Sequence, residues 1–350
     1  MQSYPSTRAS SRVRSLSNGV QVSTSPIATR KSDLESTPVG PEAHAAIHIG
    51  RCALITGAAS GIGFALAKEL AGHGLRIVLA DIHEDDLKLA QEEIADIAGP
   101  QNVLAVKADV SKIEEVIKLR DQVFETFGEV NLLFNNAGIN DHGGSLSNPE
   151  NWRKVMDVNL FGVLNMVQTF VPSMIHQENP SLIVNTGSKQ GTTNPPGNAA
   201  YNASKAGVRI LTENLAHDLR NADSKVTAHL FIPGWVYTKL TGAITADGLG
   251  EKPRGAATAE DTVRFMLEKV KEGKFYIICP DNETSEDLDR LRIKWAAGDL
   301  VEGRPALSRW HPDWKPAYEQ YIESGLSHFE ERRHEKERTH HMPNPLADNL

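Results

Sequence analysis

Tyr201 and Lys205 stand four residues apart, and Ser188 precedes the tyrosine by 13. On a helix, a separation of four places both side chains on one face. A free tyrosine, with a pKa of about 10, is a poor base at neutral pH. A nearby ammonium favours the phenolate and brings that pKa towards the working range, so the pair could give or take a hydroxyl proton. Alone, a tyrosine four before a lysine reads as a half-buried aromatic beside a snorkelling amine. A serine at this spacing and a second cluster far upstream turn the reading towards chemistry.

That cluster is the stretch Thr56-Gly57-Ala58-Ala59-Ser60-Gly61-Ile62-Gly63. It joins an apolar run at 52–55 to a helix that keeps Ile62, Leu66, Ala67 and Leu70 on one side. Gly57 lets the chain turn, Gly61 clears room for a pyrophosphate at the backbone, and Gly63 lets helix and strand lie close. The helix N-terminus offers free N–H groups and partial positive charge to phosphates. Asp81 closes the next apolar strand, 24 residues after Gly57, where an acid accepts hydrogen bonds from ribose hydroxyls. The same acid repels a 2′-phosphate, so NAD is favoured over NADP; Ser60 and Ile82 add no positive charge and His83 is the nearest exception.

These groups must be held by the elements between them. Residues 84–98 form an amphipathic helix with Leu87, Leu89, Ala90, Ile94 and Ile97 inward, and 112–127 another with Ile113, Val116, Ile117, Val123 and Phe124 inward. Strands are expected at 52–55, 77–80, 103–106, 130–134, 181–185, 226–232 and 274–279, and further helices at 150–176, 202–219 and 259–272. The alternation implies right-handed crossovers and a parallel sheet covered on both faces: a doubly wound α/β domain of the Rossmann type. Ligands then belong at the carboxyl ends of the strands, where Asp81, Asp109, Val110 and Asn136 fall.

Thr56-Gly57-x-x-x-Gly61-x-Gly63, Asp109, Asn135-Asn136-Ala137-Gly138, Asn159, Ser188, Tyr201-Asn202-Ala203-Ser204-Lys205, Pro233-Gly234 and Thr238 closely resemble the short-chain dehydrogenase/reductase family in order and spacing, over about residues 50–280. The resemblance implies hydride transfer between a nicotinamide cofactor and the CH–OH or C=O group of a small alcohol or ketone. By that resemblance Tyr201 moves the proton, Lys205 lowers its pKa and binds the nicotinamide ribose, Ser188 bonds the substrate oxygen and Asn159 holds a water on the proton path. Ala137 and Gly138 belong to the cofactor cleft. Pro233, Gly234 and Val236 lie in the segment at the nicotinamide end, and Thr238 matches the residue that binds the carboxamide. A homodimer or homotetramer is implied as well.

Composition bounds the rest. The chain has 350 residues, 40% hydrophobic and 23% charged, with a net charge of −8. With no basic stripe to neutralise phosphates, a nucleic-acid partner is not expected. No apolar run approaches a membrane span. Two cysteines, Cys52 and Cys279, both in expected strands, fit a reducing compartment. Residues 1–49 are polar and expected to be disordered. The first acid is Asp33, after Arg8, Arg12, Arg14, Arg30 and Lys31, a composition shared by mitochondrial transit peptides and untargeted tails. The reading is cytoplasmic, with mitochondria as the alternative. Residues 50–282 make the catalytic domain, 283–325 a helical extension and 326–350 a charged tail. Leu240, Ile244 and Leu249, with Trp235 and Tyr237, read equally as an apolar substrate wall or as loop anchors in a lid at 240–257. Lys189 and Gln190, just after Ser188, are expected to face the pocket. His328, His334, His340 and His341 lack ligand spacing, so no metal is expected.

Overall fold

The computed structural model describes residues 45–242, 244–245 and 248–340. The expected tail at 1–49 and its targeting alternative fall almost wholly outside them. Seven parallel strands form one sheet in the order β3-β2-β1-β4-β5-β6-β9. They are β1 Cys52–Thr56, β2 Arg76–Asp81, β3 Val103–Lys107, β4 Leu132–Asn135, β5 Ser181–Thr186, β6 Val226–Ile232 and β9 Tyr276–Ile278. Between β6 and β9 a small antiparallel pair, β7 Ile244–Thr245 and β8 Gly248–Leu249, stands apart from the sheet. The strand order reverses between β1 and β4, which opens the crevice where such sheets hold ligands.

The unbroken apolar runs follow from burial on two faces. In β1, Ala53 and Ile55 enter one core cluster while Cys52 and Leu54 enter the other. Helix α1 (Gly61–Gly72), helix α2 (Glu84–Ala98) and helix α8 (Ala259–Lys271) cover the first side. Helix α3 (Ile113–Phe127), α5 (Gly162–Ile175) and α7 (Ala199–Asn221) cover the second. The inner faces are narrower than expected. Leu89 and Ile97 are 62% and 45% exposed, and Ile113 and Ile117 are 37% and 38% exposed. Leu87, Ala90 and Ile94 on α2, and Val116, Leu119 and Val123 on α3, carry the burial at three- and four-residue spacing. Cys52 and Cys279 are buried free thiols, and burial pushes both up to about 12.

The long helix expected at 150–176 is three pieces in one run: α4 (Pro149–Met156), a π-turn over Asp157–Phe161, and α5. By length and composition the run 149–175 could cross a membrane, the one such helix among the described residues; half of its most apolar stretch is buried, as in a core helix.

Beyond β9, helix α9 (Glu286–Glu302) is capped by Ser285 and ends at Gly303, and helix α10 (Lys315–His340) follows. Their shared core is aromatic. Trp295 lies 5.4 Å from Tyr318 and 5.1 Å from Tyr321, with the Arg304 guanidinium 3.9 Å from its ring centre. Helix α10 runs on past residue 326, where composition alone marks a charged tail. No group of metal-ligating side chains occurs among the described residues.

Candidate active site and dinucleotide cleft

The glycine loop joins β1 to α1 with Gly57 and Gly61 at φ +65° and +57°, conformations that favour glycine. A Cβ on Gly63 would overlap the Gly57 carbonyl oxygen and approach Asn136 Nδ2 to 2.8 Å, so only glycine lets helix, loop and strand meet here. A Cβ on Gly61 would meet Thr238 Cγ2 at 3.0 Å, which places Thr238 directly against the loop. Ser60 is the extended residue just before the helix, and Ile62 packs on the core.

Side chains from β1 and β4 stitch this loop to the middle of the sheet. Thr56 Oγ1 accepts the N–H groups of Asn136 at 3.0 Å and Ala137 at 3.1 Å. Asn136 Nδ2 donates to the carbonyls of Thr56 at 3.1 Å and Gly57 at 3.3 Å. Asp81 faces the loop from the end of β2: Oδ2 accepts Ala59 N–H at 3.0 Å, and Oδ1 accepts His83 N–H at 3.0 Å. The His83 ring lies 3.2 Å from Oδ1, so this basic side chain sits on the acid itself. Asp109 Oδ1 accepts both Ser111 N–H and Oγ–H, while the Val110 side chain is buried in the core. Every part of a dinucleotide cradle is therefore present: an open glycine turn, a helix N-terminus and an acid at the ribose end.

The second cluster forms across β5, α7 and the π-turn. Helix α7 begins at Ala199 and carries both Tyr201 and Lys205 as expected, with Tyr201 in its first turn and Lys205 one turn on. Lys205 Nζ lies 5.8 Å from the Tyr201 ring centre and donates to Thr186 O at 2.8 Å. A Cβ on Gly138 would stand 3.5 Å from Lys205 Nζ and 3.3 Å from Asn159 Oδ1, which brings all three together. Asn159, fully buried in the π-turn, accepts Ile139 N–H at 2.8 Å and donates to Ile139 O at 2.9 Å and Ser204 Oγ at 3.1 Å. The irregularity that Asn159 and Gly162 lead one to expect is thus a π-turn whose asparagine staples the end of β4 to α7.

Electrostatics differ from expectation in one respect. Burial pushes the Tyr201 phenol above its usual value, and its hydrogen bond with Ser188 draws it only part of the way back. The expected lowering by Lys205 does not appear; burial lowers the Lys205 amine instead, to about 8. Both groups sit where their charged forms are costly.

In the segment expected at the nicotinamide end, Pro233 and Gly234 leave β6, Val236 is buried and bridges to Ala257, and Thr238 caps the turn Lys239–Thr241. Tyr237 OH donates to Gly250 O, and Trp235 is 38% exposed. The side chains of Ile244 and Leu249 lie outside the described residues. Tyr201 packs into a small buried apolar cluster with Val155 and Ala200, against which Ile139 and Trp152 also pack. Asn198 and Asn140 were not foreseen; Asn198 Nδ2 donates to Asn140 Oδ1 at 2.7 Å and Gln190 Oε1 at 3.3 Å at the approach to Tyr201. No sequence spacing singles out lone asparagines of this kind. Lys189 does not line the pocket, because its amine is held by Asp281 at 3.1 Å and Asp289 at 2.6 Å. A separate, mainly apolar cavity of about 730 Å³ lies between β9 and the extension; Tyr201 does not line it.

Comparison with known proteins agrees with this geometry. The family model for short chain dehydrogenase matches residues 51–248. The 1-deoxy-11-beta-hydroxypentalenate dehydrogenase of Streptomyces exfoliatus is 30% identical over 271 residues, 74% of this chain and 94% of that protein. A short-chain dehydrogenase/reductase from Burkholderia phymatum, solved in complex with NAD, superposes with a TM-score of 0.66 at 33% identity, covering 73% of this chain and 96% of that one. An alcohol dehydrogenase from the archaeon Thermococcus sibiricus, complexed with 5-hydroxy-NADP, gives 0.59 at 25% identity, covering 66% and 96%.

Proposed function

The chain belongs to the short-chain dehydrogenase/reductase family, and from that premise we propose that it is an oxidoreductase acting on the CH–OH or C=O group of a small, largely apolar alcohol or ketone, with NAD favoured over NADP. One observation carries the reading: Tyr201 is hydrogen-bonded to Ser188 while Lys205 Nζ stands 5.8 Å from its ring. A protein that only bound a dinucleotide would have no use for that arrangement.

The nicotinamide ring supplies or takes the hydride when it is bound. The chain does the remainder. Ser188 holds the substrate oxygen by a hydrogen bond, and Tyr201 gives or takes the hydroxyl proton at its Oη. Lys205 is held one turn away by Thr186 O, beside the Tyr201 ring, where it would bind the nicotinamide ribose. Asn159 fixes Ile139 and Ser204 around that path. Thr56, Gly57, Ser60, Gly61, Ile62, Gly63, Asp109, Val110, Asn136, Ala137, Gly138, Pro233, Gly234, Val236 and Thr238 shape the dinucleotide cleft.

Two features support an uncharged substrate. The wall beside Tyr201 is apolar. The one lysine next to Ser188 is already paired with carboxylates. Asp81 supports NAD, since a 2′-phosphate would meet a carboxylate there. A homodimer or homotetramer is supported by Phe161 and Ile210, large apolar side chains 47% and 52% exposed on neighbouring helical segments. A cytoplasmic location is supported by the two reduced thiols.

Titrating the purified protein with NADH and NADPH by fluorescence, then assaying Tyr201→Phe, tests the reading. Tighter NADH binding and a variant that binds NADH but does not turn over are the expected results. Near-normal turnover by Tyr201→Phe would remove the tyrosine from the mechanism, and tighter NADPH binding would turn the search to biosynthetic ketone reduction.

A further inference from the structure

Lys189, the residue after Ser188, bridges three segments of the chain. Its amine lies 3.1 Å from Asp281 Oδ2 at the end of the core and 2.6 Å from Asp289 Oδ2 on α9 of the extension. The lysine side chain is 17% exposed, and the two carboxylates 6% and 4%. The same Asp281 oxygen accepts Trp235 N–H at 3.1 Å, and a Cβ on Gly234 would stand 3.0 Å from Asp281 Cβ. Asp281 Oδ1 is held in turn by the N–H groups of Glu283 at 3.0 Å and Thr284 at 2.8 Å. On the other side, the Lys189 carbonyl accepts the N–H groups of Thr192 and Thr193, so its backbone starts the single turn Gln190–Thr193 that follows Ser188.

We propose that Lys189, clamped by Asp281 and Asp289, is a positioning residue through which the C-terminal extension sets the placement of Ser188 and of the Gly234–Trp235 loop for catalysis. The inference rests on the assignment of Ser188 to the substrate oxygen.

The physics favours this over a purely structural pair. Two carboxylates and one amine, with the Arg292 guanidinium acting on Asp289 from its own helix, are charges held where little water reaches, a costly arrangement wherever packing alone is wanted. Burial pushes the Asp289 carboxyl above its usual value despite Lys189, whereas for Asp281 the opposing effect of burial is outweighed by Trp235 N–H and Lys189. Asp281 joins the lysine to the Trp235 loop, and Asp289 is the link the extension contributes. Ser188 and the Trp235 loop come from the ends of neighbouring strands, β5 and β6, and flank the site. A shift of about 1 Å between such groups is enough to slow an oriented reaction on the order of a hundredfold.

The test compares Lys189→Met, Asp289→Asn, Lys189→Arg and Lys294→Met in the full-length protein. Lys294 lies on the exposed side of α9 and serves as the control. For each we measure melting temperature, NADH affinity by fluorescence, and kcat and KM on the best alcohol or ketone found. Lys189→Met is expected to lower kcat by about a hundredfold, and Asp289→Asn, which keeps the Lys189–Asp281 pair, by about tenfold. NADH affinity stays within about twofold, Lys189→Arg recovers most of kcat, and the control matches the parent. If Lys189→Met does not fold, Asp289→Asn carries the test alone. Unchanged kcat and KM in Asp289→Asn, with only a lower melting temperature, would overturn the proposal. Tyr201→Phe is run beside them: full activity there refutes the assignment of the site, whereas an inactive Tyr201→Phe with a fully active Asp289→Asn refutes only the clamp.

Discussion

The two halves of the cleft are built from different material. From β1 to β4 the binding surface is mostly backbone: a turn with two positive-φ glycines, a helix N-terminus and carbonyls stitched by Thr56 and Asn136. From the π-turn onward it is four side chains drawn from three elements, Asn159, Ser188, Tyr201 and Lys205, with Lys205 and Tyr201 held where their charged forms are costly. The backbone half can bind but has no group that moves a proton. The side-chain half can move a proton but depends on neighbours to place and tune each group. A substitution in the first half should therefore act on binding and folding, and one in the second on turnover.

The sharpest way to break that contrast is Tyr201→Phe. Removing a proton donor or acceptor costs about a thousandfold in kcat, within the range of general acid–base catalysis, while NADH affinity stays within about twofold. Loss of binding in step with turnover would show that the two halves are not separable.

Gly63→Ala makes the opposite case. Its methyl group would overlap the Gly57 carbonyl oxygen, with backbone rather than flexible side chain in the way. The expected cost is about 2–3 kcal/mol of stability, read by urea unfolding, with loss of NADH binding. A stable Gly63→Ala that still binds NADH would mean that the loop can yield.

The sequence carried most of the first half and only part of the second, for the same reason. Glycines, strand ends and a terminal acid lie close along the chain, so spacing alone places Gly57, Gly61, Gly63 and Asp81. Alternation of strands and helices gave the sheet, though Leu89, Ile97, Ile113 and Ile117 turned out exposed because three- and four-residue spacing admits fewer inward positions than apolar composition offers. Lys189 was unreadable: its partners Asp281 and Asp289 lie 92 and 100 residues on, and nothing local distinguishes a paired lysine from a pocket lysine. The Tyr201 pKa was misjudged because burial, which raises it, depends on packing that no spacing reveals.

The buried Lys205 gives a pH test. Its folded value of about 8 lies below the value of about 10.4 for a free lysine, so between these pH values the unfolded chain binds more protons. Stability without cofactor should then rise with pH through this window, by on the order of 1–3 kcal/mol at most. Cys52 and Cys279, raised to about 12, pull the other way once unfolded thiols ionise above about 8.5. The comparison is therefore between the parent and Lys205→Met, both of which keep the cysteines. Melting temperatures at pH 7.5, 8.5 and 9.5 should show the parent gaining on the variant as pH rises. A constant difference would mean that Lys205 is not held as a costly cation.

The smallest expected effect lies where a side chain enters the backbone half. Asp81 accepts Ala59 N–H from the glycine loop and His83 N–H from its own turn, so its two oxygens already face groups that a bound ribose would compete with or join. Asp81→Asn keeps the shape, removes the negative charge and leaves His83 beside the same position. The ratio of NADPH to NADH affinity should rise by about tenfold, equivalent to about 1.4 kcal/mol, with little change in kcat. Adding His83→Gln separates the charge of the acid from that of its neighbour. If the double variant keeps the tenfold shift, loss of repulsion by Asp81 is the cause; if the shift vanishes, His83 supplies an attraction that the acid normally masks. An unchanged ratio in the single variant would mean that selection is made by the loop backbone, and the line between the two halves would have to be redrawn.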